Sequence, residues 1–285
     1  MKFAPFEYAA PATLAEAVSL LAAGGGAAKP IAGGQSLLPA MAFRLATPSL
    51  LVDLRKLKEL EKISVGADGV RLGARVRWRD IEDRKELKTA QPLLVAAVEH
   101  VAHYQIRNRG TVGGSLAHAD PAAEMPGIAV TCDAEIRVLG SKGERVVPAG
   151  KFFTGALSTV LADDELIVEV RLPAWPAKRR WAFEELSPRR GDFALAGIAA
   201  FYDLDPDGKA MNTHIGVIGA CIRPHRVAQA ESALNGRIVD AAAIQAAARA
   251  AEEALDPPSD LHASAAYRRS LAGTLLERAL QRAAK

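Results

Sequence analysis

The spacing of apolar positions changes several times along the chain, and each change marks an element. Leu14, Ala17, Val18 and Leu21 recur at helical spacing, with Ala12 or Thr13 near the start and Gly24-Gly25-Gly26 at the end. A short strand is predicted at Lys29–Ala32, a helical stretch from Pro39 to about Leu45, and an apolar strand at Leu50–Asp53. Residues 1–55 therefore read as a β-α-β unit. Lys62–Val65 and Val70–Gly73 flank Asp68-Gly69, a hairpin turn signal. The spacing predicts a short helix over 78–83 and a longer one from Pro92 to Tyr104, with Leu93, Leu94, Ala97, Val98 and Val101 inward. Strands follow at 134–139, 145–147 and 166–172.

Beyond Pro173-Ala-Trp-Pro176, read as a linker with Trp175 packed at the junction, the pattern shifts. Arg180–Leu186, Ala194–Leu204 and Met211–Ile218 are strands joined by short turns, which predicts an antiparallel meander. Three helices close the chain: Val227–Leu234 before Asn235-Gly236, Asp240–Leu255 before Pro257-Pro258, and Ala265–Ala284. The fold class is α+β. A first domain spans 1–177, with subdomains at about 1–55 and 56–177, and a second spans 178–285.

Two glycine-rich segments carry the candidate chemistry. Gly33-Gly34-Gln35-Ser36-Leu37 lies between a predicted strand and helix. Thr111-Val-Gly113-Gly114-Ser115 lies further on, followed by Asp120-Pro121. Glycine admits positive φ and close approach of a ligand to the backbone. Exposed amides beside small hydroxyl residues hold phosphate oxygens. Asp120 is read as a helix N-cap with Pro121 after it, which adds a second anion site, and Glu124 in the first turn could accept from ribose hydroxyls. Neither segment is a Walker loop, since no Gly-Lys-Ser/Thr follows, and the dinucleotide fingerprint G-x-G-x-x-G is absent. A lone glycine pair would read as a tight turn before a capped helix; the second segment weakens that reading.

Composition narrows the classes. The chain of 285 residues is 49% hydrophobic and 24% charged, with a net charge of +3, as in a globular protein of two domains. Charges are mixed and form no basic stripe, so nucleic acid is not an expected partner. No apolar run approaches a membrane span and Met1-Lys2-Phe3-Ala4-Pro5 has no signal-peptide core, which predicts the cytoplasm with at most peripheral membrane contact. The two cysteines, Cys132 and Cys221, sit in apolar contexts and read as buried thiols. An iron–sulfur cluster takes four thiolates, so the chain cannot hold one alone. His100, His103, His118 and Asp120 are too loosely placed to predict a metal site. No catalytic triad or nucleophile elbow emerges, and no catalytic residue is assigned.

Taken together, Ala32-Gly-Gly-Gln-Ser-Leu-Leu-Pro39 and Thr111-Val-Gly-Gly-Ser-Leu-Ala-His-Ala-Asp-Pro-Ala-Ala-Glu124 resemble the flavoprotein subunit of molybdenum hydroxylases, most closely the medium subunit of the aerobic carbon monoxide dehydrogenase group, with the xanthine dehydrogenases also related. The likeness continues in Arg189-Arg190-Gly191-Asp192-Phe193-Ala194 and in Pro258–His262 to Tyr267-Arg268-Arg269. It implies a two-part FAD domain of the p-cresol methylhydroxylase and vanillyl-alcohol oxidase type, then a C-terminal domain with a three-stranded antiparallel sheet and helices. It implies non-covalent FAD, with Ile31, Ala32, Gly33, Gly34, Gln35, Ser36 and Leu37 at the pyrophosphate and Thr111, Gly113, Gly114 and Ser115 sharing that task. Glu124, with Asp120 as second candidate, would bind ribose or ribityl hydroxyls; Leu161 would flank the adenine; Val101, Ala102, Asp192 and Phe193 would stand near the flavin ring. Xanthine dehydrogenases carry a lysine where Glu184 and Glu185 stand, a departure that counts against NAD as acceptor.

The resemblance further implies an electron-transfer subunit of a heteromeric enzyme. A small subunit would hold [2Fe–2S] clusters and a large subunit the molybdopterin, in a dimer of heterotrimers; this chain would pass electrons to an external acceptor and not oxidise substrate alone. Two alternatives stay open: a stand-alone FAD oxidoreductase of the same fold, and a flavin-free assembly module.

Overall fold

The computed structural model describes residues 2–285. Its first layer is a parallel three-stranded sheet of β1 (Glu7–Ala9), β2 (Ala28–Ile31) and β3 (Leu50–Asp53), with β3 in the middle. Between β1 and β2 runs α1 (Leu14–Gly24). Thr13 caps it by accepting from the Glu16 N–H at 3.2 Å, and Gly25 ends it in the left-handed region. Its Ala17, Val18 and Leu21 face the sheet, as their spacing requires. Between β2 and β3 lies the first glycine segment and α2 (Leu37–Ala42), which stops short of the predicted Leu45.

The second layer is an antiparallel five-stranded sheet: β4 (Ile63–Gly66), β5 (Gly69–Gly73), β6 (Glu135–Gly140), β7 (Gly143–Pro148) and β10 (Leu166–Pro173), in the order β4-β5-β10-β6-β7. A small hairpin of β8 (Phe153–Gly155) and β9 (Ser158–Thr159), not anticipated from the sequence, leads into β10. Helices α3 (Trp78–Asp83), α4 (Leu87–Ala90), α5 (Pro92–Val98), α6 (Tyr104–Arg107), α7 (Val112–His118) and α8 (Glu124–Thr131) fill the stretch between β5 and β6.

Three expectations are corrected here. The helix predicted from Pro92 to Tyr104 breaks after Val98, because Ala102 takes a positive φ of 41° and turns the chain before α6. Asp120 caps no helix: its Oδ1 accepts from the Ala122 N–H at 2.9 Å in a local turn, and α8 begins at Glu124 with Ala123 before it. The second glycine segment is a helix start, since Val112–His118 are helical.

The C-terminal sheet holds the three predicted strands, β11 (Arg180–Leu186), β12 (Ala196–Leu204) and β13 (Ala210–Ile218), and a fourth short one, β14 (His225–Arg226), paired to β13. The alternation along β11 and β12 decides its two faces. Ala182, Ile198, Ala200 and Tyr202 pack under α9 (Ala228–Leu234), α10 (Ala241–Ala254) and α11 (Ala265–Ala283). Phe183, Ala199, Phe201 and Ile218 turn the other way and join the core built on the five-stranded sheet and α8. Glycine permits that closeness: a Cβ on Gly127 of α8 would stand 2.8 Å from Ile218 Cδ1. Trp175 lies at the junction as expected, edge-on to Phe201 at 5.3 Å, with Arg179 over both rings and bonded to Asp203.

Candidate functional site

The fold brings the two glycine segments into contact. A Cβ on Gly33 would collide with the Arg109 carbonyl and stand 3.0 Å from Gly110 Cα, so only glycine lets the first segment lie against the entrance to α7. Gly34 takes a φ of 73°, which turns Gln35 and Ser36 toward α2. Gln35 Nε2 donates back to the Gly33 carbonyl at 3.2 Å. Among the described residues, the backbone N–H groups of Gly33, Gly34, Gln35 and Ser36 have no protein acceptor. Four successive free donors are an anion cradle in waiting. Ile31 ends β2, and Ala32 and Leu37 flank the row, all partly buried.

The second segment differs. Val112 N–H donates to the Val76 carbonyl at 2.9 Å and Gly113 N–H to the Ala74 carbonyl at 2.8 Å. Gly114 N–H donates to Thr111 Oγ1 at 3.2 Å, and Ser115 N–H to the Thr111 carbonyl at 3.0 Å. A Cβ on Gly113 would stand 2.6 Å from Ala74 Cβ. The reading of Thr111–Ser115 as a nest of free amides is therefore corrected for Val112–Ser115, whose amides bind the protein; among the described residues only the Thr111 N–H of this segment has no protein acceptor. What remains for a ligand is the Ser115 hydroxyl and the exposed backbone at Gly114.

The other predicted positions gather around the ends of α7 and α8. Leu157 N–H donates to the Ala119 carbonyl at 3.0 Å, which ties the β8–β9 hairpin, and Leu161 just beyond it, to the end of α7. Gly219 N–H donates to the Pro121 carbonyl at 2.8 Å, which fixes the Asp120 turn to the end of β13. Gly191, at a φ of 89°, lies against Ala102, where a Cβ would stand 3.0 Å from the Ala102 carbonyl carbon. The Arg189–Phe193 loop thus meets the bend that carries Val101 and Ala102, whose carbonyls accept from Arg107 at 3.0 Å. Val101 is buried, while Asp192 and Phe193 are exposed.

Glu124 is a charged residue that the fold hides here. It is 8% exposed, and burial pushes its carboxyl up to about 7, helped by the charge of Asp120 and opposed by its own backbone N–H. Two residues escaped the sequence reading. Glu185 of β11 points its side chain, 2% exposed, at the inner face, and burial together with Glu124 pushes it up to about 8. Strand alternation with Phe183 was the available signal. Arg268, 5% exposed, reaches from α11 to the Leu195 carbonyl at 2.8 Å, the Gly219 carbonyl at 3.1 Å and Asp260 Oδ2 at 2.7 Å. It pins both strand ends that border the site. Nothing in its spacing announced that role.

Comparison with known proteins gives this geometry a context. Residues 4–175 match the family described as the FAD binding domain in molybdopterin dehydrogenase. Residues 181–283 match the CO dehydrogenase flavoprotein C-terminal domain. The chain belongs to the FAD-binding medium-subunit family of the molybdenum hydroxylases. It is 40% identical, over 99% of its length and 96% of the relative's, to the 6-hydroxypseudooxynicotine dehydrogenase complex subunit alpha of Paenarthrobacter nicotinovorans. Among solved structures it resembles carbon monoxide dehydrogenase from Hydrogenophaga pseudoflava with a TM-score of 0.96 at 38% identity, covering 99% of this chain and 98% of that one. Quinoline 2-oxidoreductase from Pseudomonas putida 86 matches with a TM-score of 0.94 at 41% identity, covering 100% of this chain and 98% of that one.

The residues of this medium-subunit chain suit FAD. A dinucleotide brings a pyrophosphate that needs donors and hydroxyls that need acceptors. Among the described residues the Gly33–Ser36 amides are donors without partners, and Glu124 is a buried acid whose neighbours leave it acceptor capacity. The chain is an oxidoreductase flavoprotein of this family. The two thiols are buried, and burial pushes both up to about 12, so they are inert. Among the described residues, no group of three or more His, Cys, Asp or Glu side chains has metal-binding geometry, and no helix is long and apolar enough to cross a membrane.

Proposed function

We propose that this chain is the electron-transferring FAD subunit of a heteromeric molybdenum hydroxylase, receiving electrons from [2Fe–2S] clusters of a small partner subunit and releasing them to an external acceptor. A large partner subunit would hold the molybdopterin, and the assembly would be a cytoplasmic dimer of heterotrimers. The observation that carries the reading is the row of unpaired amides at Gly33–Ser36, seated on the entrance to α7, in a chain that matches the flavoprotein family from end to end. Bound FAD supplies the one- and two-electron chemistry, and the protein supplies binding, orientation and electrostatics.

Each residue has a task in this reading. Gly33, Gly34, Gln35 and Ser36 donate to the pyrophosphate, with Ile31, Ala32 and Leu37 shaping the walls. Thr111, Gly113 and Gly114 hold α7 against that row, and Ser115 offers a hydroxyl. Glu124 accepts from cofactor hydroxyls, while Asp120 builds the turn that presents it. Leu161 lines the adenine side, and Val101, Ala102, Asp192 and Phe193 the ring side. The domain boundary falls at 177/178, supported by the two family matches, which end at residue 175 and resume at 181. No residue of the chain acts as nucleophile or general acid toward an organic substrate.

The test is anaerobic. The purified chain should carry FAD that acid precipitation releases into solution. Dithionite should bleach it, whereas carbon monoxide, an aldehyde or a purine-like heterocycle should not until the cluster-bearing and molybdenum-bearing partners are added. Bleaching by an organic substrate or by NADPH with no partner present would overturn the proposal in favour of a stand-alone flavoenzyme.

A further inference from the structure

One nitrogen of Arg107 holds two consecutive peptide groups. From the last turn of α6, its Nη1 donates to the Val101 carbonyl and to the Ala102 carbonyl, each at 3.0 Å. The Nε end of the same guanidinium stands 3.0 Å from Glu82 Oε1 of α3, an ion pair without the alignment of a hydrogen bond, and both side chains are mostly buried. Ala102, in the bend so held, takes a φ of 41°, which a residue with a Cβ seldom adopts. From the C-terminal half, Gly191 closes on the same bend. A Cβ there would stand 2.5 Å from the His103 imidazole and 3.0 Å from the Ala102 carbonyl carbon. A left-handed alanine persists only where its surroundings over-determine it, and here a planar fork and a glycine do so from two sides.

In a trans peptide group the N–H points opposite to the C=O. With the Val101 and Ala102 carbonyls both drawn onto Arg107, the N–H groups of Ala102 and His103, which belong to the same two peptide groups, point together away from it. Among the described residues neither has a protein acceptor. Ala102 is half-buried and His103 exposed, so the pair is open to a ligand. Two successive amides turned one way by a left-handed residue receive an atom of negative charge. The bend is also joined to the cradle. Arg107 and Arg109 lie two residues apart in one segment, and the Arg109 carbonyl is the atom that a Cβ on Gly33 would strike. We propose that Arg107 is a positioning residue for the flavin: by holding the two carbonyls it aims the Ala102 and His103 N–H groups at a ring oxygen or nitrogen that gains negative charge when FAD is reduced. The proposal rests on the FAD reading and deepens it. No proton moves at the bend; fixed donors favour the more negative state of the cofactor by hydrogen bonding alone.

Two variants of the full chain separate this role from a structural one. In R107M, which keeps the stem and removes the fork, oxidised FAD should still bind through Gly33–Ser36, weakened by about tenfold or less. Reduced FAD should lose about tenfold more than that, which lowers the two-electron midpoint potential by about 30 mV. R107K, which restores a donor without the fork, should recover part of the shift. Amide exchange in the wild type gives a reading that needs no variant: Ala102 and His103 should exchange fast in the cofactor-free chain and slowly once FAD is added. An unchanged potential in R107M, with both redox states of FAD weakened alike, would make Arg107 a structural residue only and overturn the proposal. Fast exchange at Ala102 and His103 under saturating FAD, with Gly33–Ser36 protected, would overturn it too and leave the FAD reading intact. Failure of the wild type to take up FAD at all would remove the FAD reading and the role of Arg107 together.

Discussion

The two glycine-rich segments look alike in sequence and do different work in the fold. Gly33–Ser36 presents a row of backbone donors with no protein acceptor among the described residues, whereas in Val112–Ser115 each donor is already bonded to Val76, Ala74 or Thr111. The first is open and the second is an anchor. The same contrast separates the two acids. Asp120 is engaged with Ala122, while Glu124 is buried with acceptor capacity to spare. A polar group already satisfied by its own chain builds structure; one left unsatisfied beside it is available for a ligand.

Gly33→Val should break the arrangement most severely. The new side chain collides with the Arg109 backbone, so the row should lift from α7, abolishing FAD occupancy and lowering stability by about 1–3 kcal/mol in urea titration. Full FAD occupancy in this variant would mean that the contact between the segments is dispensable. Next, Glu124→Ala should weaken FAD binding by about 1.5–3 kcal/mol, the worth of a bond to a charged group. Asp120→Ala should cost FAD affinity less, since what it removes is a local turn bond. The reverse order of dissociation constants would exchange the roles of the two acids.

Gly113→Ala sharpens the comparison from the anchoring side. Its Cβ would press on Ala74, so the cost of about 1–3 kcal/mol should appear in the stability of the chain with or without FAD. An effect confined to FAD affinity would make the second segment a direct ligand. Smallest should be Gly114→Ala, where the new Cβ meets Thr111 Oγ1 at 2.8 Å on an exposed position. Disturbing that cap should cost about 1 kcal/mol or less in thermal unfolding.

Much of this was readable from the sequence. The strands and helices of the C-terminal half follow the apolar spacing closely, because Arg180–Leu186 alternates and Asp240 and Ser264 cap the helices after them. The paired segments and their likeness to flavoproteins were legible too. Tertiary partners were not. No local signal said that the Val112 and Gly113 amides would find the Val76 and Ala74 carbonyls, so a helix start was read as an open nest. Asp120-Pro121 has the composition of a helix start, but the bond of Pro121 to Gly219 holds it as a turn. The break after Val98 depends on the positive φ of Ala102, a conformation alanine does not advertise. Glu185 and Arg268 gain their meaning only from the sheet face and the strand ends they reach across the junction.

The central claim is that Gly33–Ser36 is the cradle and Val112–Ser115 its support. Amide hydrogen exchange, compared with and without FAD, tests it most directly. Gly33, Gly34, Gln35 and Ser36 should exchange fast in the cofactor-free chain and become protected when FAD is added, while Val112 and Gly113 are protected throughout. Fast exchange at Gly33–Ser36 in the presence of saturating FAD, with new protection appearing at Val112 and Gly113 instead, would contradict the account.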